Sequence, residues 1–178
     1  MKFISFNHDN SEKFGIIENN LITDLTGKID GALSLKELIK IKKIKEAKEY
    51  AKSNPGSIKP DEIKYSPLIP NPGKIICVGL NYSEHVKETN RTVEENPVIF
   101  HRFPESQTAH MQAIQRPTVS ESLDFEGEMA VIMGEGGKHI KPEEALKHIV
   151  GFSCYNESTI REWQRHTRQF GMGKNFEK

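Results

Sequence analysis

Cysteine is scarce in this chain, with two among 178 residues. Cys77 and Cys154 lie in the apolar contexts IICVG and FSCYN. Two such residues form neither a disulfide framework nor a zinc-ligand spacing, and both read as small buried side chains. An excess of either charge is also missing, because 25 Lys and Arg residues balance 25 Asp and Glu residues. No net field draws the molecule toward nucleic acid or an anionic membrane, so any electrostatic role is local. Long apolar runs are absent too. The stretches Ile75 to Val78 and Met129 to Met133 are far too short to cross a bilayer. The opening MKFISFNHDN reaches Asn7, His8 and Asp9 before a signal-peptide core forms, which predicts a cytoplasmic protein. Internal repeats and low-complexity tracts are lacking as well.

What remains is the composition of a globular protein, 35% hydrophobic and 28% charged. The first stretch carries three strand-like runs, KFISF, FGIIE and LITDL, separated by Asn, Asp and Gly, which predicts a small antiparallel unit. From Leu33 to about Ala51 the residues Leu35, Leu38, Ile39, Ile41, Ile44 and Ala47 fall mostly at helical spacing, so one amphipathic helix is expected. Its lysines are interleaved with Glu37, Glu46 and Glu49, the pattern of a solvated face. Prolines and glycines then crowd the segment from Ser53 to Gly73, where neither a helix nor a central strand fits. A small N-terminal lobe with a proline-rich linker is therefore predicted over residues 1–70, and a larger α+β domain over 71–178. In that domain KIICVGL, NPVIFHRF and MAVIMG read as buried strands, and NYSEHVKE, KPEEALKHI and STIREWQRHTRQF as helical segments.

The stretch DFEGEMAVIMG carries Asp124, Glu126 and Glu128 on alternate positions. In an extended strand Glu126 and Glu128 share a face. Two ionised, partly buried carboxylates side by side repel and lose hydration unless one is protonated or a cation lies between them. A hard divalent ion resolves the conflict, Mg²⁺ first and Mn²⁺ or Ca²⁺ next; the alternative is a strand whose carboxylates face solvent. Gly127 between them reads as a point of close approach. Glu157, in CYNESTIREWQ, opens a helical segment, where an acid serves either as a ligand or as a favourable partner of the helix dipole.

The segment CVGLNYSEHVKE runs from a strand into a helix start capped by Asn81, with Glu84 three residues on. His85 and Glu88 lie one helical turn apart, a spacing that lets a carboxylate fix the imidazole tautomer and prepare a general base. The same spacing is common between inert surface residues. Arg102 and Lys174 are cations suited to clamping a substrate carboxylate, or else ordinary surface charges. Ile160, Trp163, Thr167 and Phe170 form a predicted core stripe, with Arg161, Arg165 and Arg168 along an edge that is solvated or faces substrate.

The order of these pieces resembles the fumarylacetoacetate hydrolase family. The likeness runs from KIICVGLNYSEHVKE through PVIFHRFPES and RPTVSESLDFEGEMAVIMGEGGKHI to IVGFSCYNESTIREWQRHTRQFGMGKNF, and so from Lys74 onward. It implies an α+β fold with a small N-terminal lobe and a mixed β-sandwich or roll catalytic domain, incomplete at the C-terminus because the family continues through further strands. It implies that Glu126, Glu128 and Glu157 are metal ligands, with Glu157 where the family usually carries Asp. His85 with Glu88 would activate a water, Lys174 would take a catalytic role at the substrate's oxygens, and Tyr82 and Arg102 would contact substrate. The activity implied is metal-dependent hydrolysis or decarboxylation at a C–C bond of a β-dicarbonyl or 2-oxo acid, many of them from aromatic catabolism, by a homodimer. The other reading is a catalytically inactive, shortened relative that binds a metal or a partner.

Overall fold

A computed structural model describes residues 1–84 and 95–177. Ten strands occur among them: β1 (Lys2–His8), β2 (Ser11–Glu18), β3 (Leu21–Asp24), β4 (Lys64–Ser66), β5 (Ile75–Gly79), β6 (Val98–Arg102), β7 (Leu123–Asp124), β8 (Gly127–Met133), β9 (Ile149–Asn156) and β10 (Thr159–Ile160). Two helices, α1 (Leu35–Lys40) and α2 (Ile44–Ser53), are joined by shorter helical turns elsewhere. Among the described residues no helix is long and apolar enough to cross a membrane. The chain forms two compact units, one of Met1–Pro70, Thr108–Ala113 and Gly127–Asn156, the other of Asn71–Gln107, Ile114–Glu126 and Glu157–Lys178.

The first unit is built on an antiparallel sheet of order β3-β2-β1-β4. Its two hairpins turn on residue pairs with positive φ, Asp9 and Asn10, then Asn19 and Asn20. That is the left-handed turn geometry whose twist suits two-residue hairpins, and Asn and Asp tolerate it well. The register sets Ile16 against Phe3 and Thr23. Phe14 and Ile16 of β2 enter the core with Leu25, Ile29, Leu35, Leu38, Ala47 and Ala51. Helix α1 begins at Ser34, whose side chain accepts the Glu37 N–H, a capping bond that satisfies one otherwise orphaned donor.

The single helix expected from Leu33 to Ala51 is two. Lys42 takes φ +59°, the Lys42 N–H bonds to the Ile39 carbonyl and the Lys43 N–H to the Leu38 carbonyl. This is a Schellman ending, in which a left-handed residue closes the last turn. The apolar period runs on through the break because Leu38 and Ala47 both reach the same core. The remainder of this unit is the antiparallel ribbon β8–β9, with Glu128 opposite Tyr155 and Met129 opposite Cys154.

In the second unit β5 pairs with β6 in antiparallel register, Cys77 opposite Phe100. Phe170 packs edge-on against Phe100 with ring centroids 5.8 Å apart, and Trp163 meets Phe176 at 5.5 Å. The runs expected to be buried strands are buried on one face only. Ile76 is 55% exposed, and so is Met133. Both belong to two-stranded ribbons whose alternating side chains cannot all turn inward. Cys154 lies on the outer face of β9 and is exposed, and Cys77 is partly buried, so the expectation of two buried thiols fails for Cys154. The predicted helix after Glu157 shrinks to the turn Arg161–Gln164, with Thr167 exposed. KPEEALKHI forms a 3₁₀ stretch, Pro142–His148.

Two predictions test this core. Leu38→Ala removes a side chain with no solvent exposure and is expected to lower unfolding stability by about 2–5 kcal/mol, read from urea melts. Asp24 accepts the Thr26 N–H at 2.8 Å and pairs with Lys13 at 3.0 Å. Burial opposes ionisation of Asp24, but the Thr26 and Lys13 interactions outweigh it and hold its pKa below the usual value. The stabilisation is present above the unfolded value of about 3.9 and is lost as pH falls through the lower folded value. Wild type and Asp24→Asn are therefore expected to differ in urea midpoint at pH 7, and to converge toward pH 2.

Candidate metal centre

Two short segments carry the site. Strand β7 pairs with β10, Asp124 opposite Thr159 and Leu123 opposite Ile160. The Glu157 N–H donates to the Glu126 carbonyl at 2.8 Å. These bonds tie residues 123–126 to residues 157–160. Alternation then brings the Glu126, Glu157 and Thr159 side chains together while Phe125 is exposed.

One carboxylate oxygen from each of Glu126, Glu128 and Glu157 lies within 4.8 Å of the others. Glu157 is buried, and Glu126 and Glu128 are partly so. Lys174 reaches the same carboxylates. Its Nζ donates to Glu126 Oε1 at 2.8 Å and to Glu157 Oε2 at 3.1 Å, and its side chain is 2% exposed. The ammonium also lies 5.0 Å from the centroid of the Phe100 ring, a favourable cation–π distance. Thr159 donates its hydroxyl to Glu126 Oε1. Arg161 meets the same oxygen at 3.0 Å and holds Asp124 Oδ2 at 2.7–2.8 Å.

Burial would raise the Glu126 pKa, but hydrogen bonds from Lys174 and Thr159 and the charges of Lys174 and Arg161 overcome it. The carboxyl is held below the usual range. Cys77 responds oppositely. Burial first, and the Glu157 carboxylate second, push its thiol far upward despite Arg102 and Lys174, so it stays protonated and unreactive at neutral pH.

The donor set fits a hard divalent ion. It consists of carboxylate oxygens, which select Mg²⁺, Mn²⁺ or Ca²⁺ over softer metals. Among the described residues one of those oxygens, Glu157 Oε1, is buried with no hydrogen-bond partner. A buried carboxylate oxygen left without a partner is costly, and a cation removes that cost.

Of the residues singled out in the sequence, Glu126, Glu128, Glu157 and Lys174 come together. Arg102 is buried on β6, where its Nη1 donates to the Ser158 carbonyl at 3.0 Å and its Nε to Ser106 Oγ at 3.4 Å. Tyr82 is 45% exposed in the segment after β5. His85 and Glu88 lie outside the described residues. Among the described residues no backbone closes on Gly127, where a Cβ would meet no atom within 4 Å. Thr159 and Arg161 were not singled out as site residues. The two-residue alternation in YNEST, Glu157 then Thr159, is the available signal for Thr159; Arg161 falls on the solvated or substrate-facing edge of a helix that is expected to be longer.

Acids clustered on short paired segments of a mixed α+β fold are an arrangement that could hold a metal ion through oxygen ligands. Residues 74–178 match the family model described as fumarylacetoacetate (FAA) hydrolase C-terminal. The chain belongs to the fumarylacetoacetate hydrolase family. It is 38% identical over 117 residues to the mitochondrial oxaloacetate tautomerase Fahd2a of Rattus norvegicus, an alignment covering 65% of this chain and 37% of that protein. The chain therefore aligns with well under half of that relative's length. Among solved structures it is similar to a fumarylacetoacetate hydrolase from psychrophilic Exiguobacterium antarcticum, with TM-score 0.75 and 29% identity, covering 99% of this chain and 62% of that one. It also shares its fold with maleylpyruvate hydrolase from a Sphingobium species, solved with manganese(II) and pyruvate, with TM-score 0.75 and 18% identity over 98% of this chain and 63% of that one.

The packing behind Lys174 yields a prediction. A Cβ at Gly173 would lie 2.3 Å from the Gln164 nitrogen and 2.4 Å from the Ile160 carbonyl oxygen. Gly173→Ala must push the Gly171–Lys174 turn away from residues 160–164. We expect a loss of about 1–3 kcal/mol in stability, measured by urea denaturation, whereas Gly136→Ala, with open space around it, changes the midpoint little.

Proposed function

We propose that this chain carries a divalent-metal centre for enolisation chemistry on a 2-oxo acid of the oxaloacetate class, with hydrolysis or decarboxylation of a C–C bond in related β-dicarbonyl acids as further outcomes of the same site. The observation that carries the reading is the cluster of Glu126, Glu128 and Glu157, with a buried Glu157 oxygen that has no partner among the described residues. Support for the substrate class comes from the tautomerase that is 38% identical over 117 residues.

A hard divalent ion supplies electron withdrawal from two oxygens of a 2-oxo acid, which favours loss of a proton or a group at the neighbouring carbon. In this proposal Glu126, Glu128 and Glu157 hold that ion. Lys174, Thr159 and Arg161 keep Glu126 ionised and so ready as a ligand at neutral pH. His85, oriented by Glu88, takes the proton, either from substrate carbon in enolisation or from water in hydrolysis. Tyr82 and Arg102 complete the proposal as substrate contacts. Mg²⁺ is the ion expected first, and Mn²⁺ serves equally as a probe.

The test follows the enol absorbance of oxaloacetate, and pyruvate release from oxaloacetate and from an acylpyruvate, with Mg²⁺ or Mn²⁺ and against a protein-free control. Metal-stimulated turnover that EDTA abolishes is expected. His85→Ala should lose about 10²–10⁴ of the rate while retaining Mn²⁺ binding in calorimetry. Mn²⁺ binding without turnover of any of these substrates overturns the enzymatic reading and leaves a metal-binding protein. Absence of both overturns the metal centre as well.

A further inference from the structure

Lys174 is the least exposed ion-pairing side chain of the site, at 2%. Its ammonium is engaged with one oxygen of Glu126 and one of Glu157. On Glu157 the two oxygens differ: Oε2 accepts from Lys174, and Oε1 is buried with no partner among the described residues. Two arrangements follow when a divalent ion arrives. The ion displaces the ammonium, or the two cations bind together.

We propose that Lys174 is a positioning residue for the metal centre, retained beside the ion, which fixes the Glu126 and Glu157 carboxylates so that Glu157 Oε1 is presented as a ligand. The inference rests on the metal reading above. Charge supports co-binding over displacement. Three carboxylates, one ammonium and one divalent ion are neutral together, whereas removing the ammonium would leave a net negative charge in a partly buried cluster, which is costly. Arg161 is shared between the Asp124 and Glu126 carboxylates and, counted with Asp124, leaves this balance unchanged. Packing points the same way. Lys174 lies over the Phe100 ring and follows Gly173, which sits so close to the Gln164 and Ile160 backbone that no side chain fits there. An ammonium mounted on such a turn has no short path out of the cluster. The ion would thus meet two carboxylates whose orientation is set in advance, so less ordering is needed on binding.

The experiment compares Mn²⁺ affinity by calorimetry in wild type, Lys174→Met and Lys174→Ala, with circular dichroism and urea midpoints as the check on folding. Methylammonium is added to the alanine variant to restore the missing charge. Affinity at least tenfold weaker in a folded Lys174→Met protein, partly restored in Lys174→Ala by methylammonium, is the expected result. Affinity unchanged or tighter in folded Lys174→Met overturns the proposal and makes the lysine a bystander or a competitor of the ion. A second measurement uses wild type alone: acetic anhydride labelling of Lys174, read by peptide mass spectrometry with and without Mn²⁺. Protection in both states is expected, and labelling that rises on adding Mn²⁺ means displacement and overturns co-binding even if the variants fail to fold. Failure of wild type to bind Mn²⁺ removes the metal reading itself, and the inference with it.

Discussion

Compensation of buried negative charge is the constraint on which the site depends. Three glutamates converge to within 4.8 Å, and Lys174 contacts two of them from a position almost closed to solvent. Converging acids repel and lose hydration, so they stay together only when cations and donors hold them. Lys174, Arg161 and the Thr159 hydroxyl all converge on one oxygen of Glu126, which explains why this carboxyl stays ionised despite its burial. The local backbone serves the same end. A two-residue pairing of β7 with β10 and the bond from the Glu157 N–H to the Glu126 carbonyl fix the spacing of the acids without a long strand.

Much of this was legible in the residues themselves. Alternation predicted that Glu126 and Glu128 share a face, and the order of four motifs pointed to the family that the comparisons show. The antiparallel meander at the start is readable because its turns use Asp9-Asn10 and Asn19-Asn20, whose tolerance of positive φ is a local property. The position of Lys174 rests on the resemblance, since a lone lysine in GMGKNF has no periodic signal of its own.

Other features depend on tertiary facts that no local pattern encodes. The break at Lys42 was hidden because the apolar period continues across it, and the core accepts both helices. Burial of the ribbons was overestimated because a run such as MAVIM reads alike whether one or both faces are covered. Arg161 falls on a solvated or substrate-facing edge only by extending a helix that stops at Gln164; its link to Asp124 and Glu126 follows from the β7–β10 pairing, which joins residues far apart in sequence.

The meander of β1, β2 and β3 has a consequence for the order in which the chain acquires structure. The pairings of β1 with β2 and of β2 with β3 each join neighbouring strands through a two-residue turn, so loop closure costs little and these contacts are local. During synthesis on the ribosome these three strands have all their mutual partners as soon as Asp24 is outside the exit tunnel. The carboxylate cluster must wait for Lys174, so the earliest ordered part of the nascent polypeptide and its chemically committed part are separated by the time needed to translate residues 25–174.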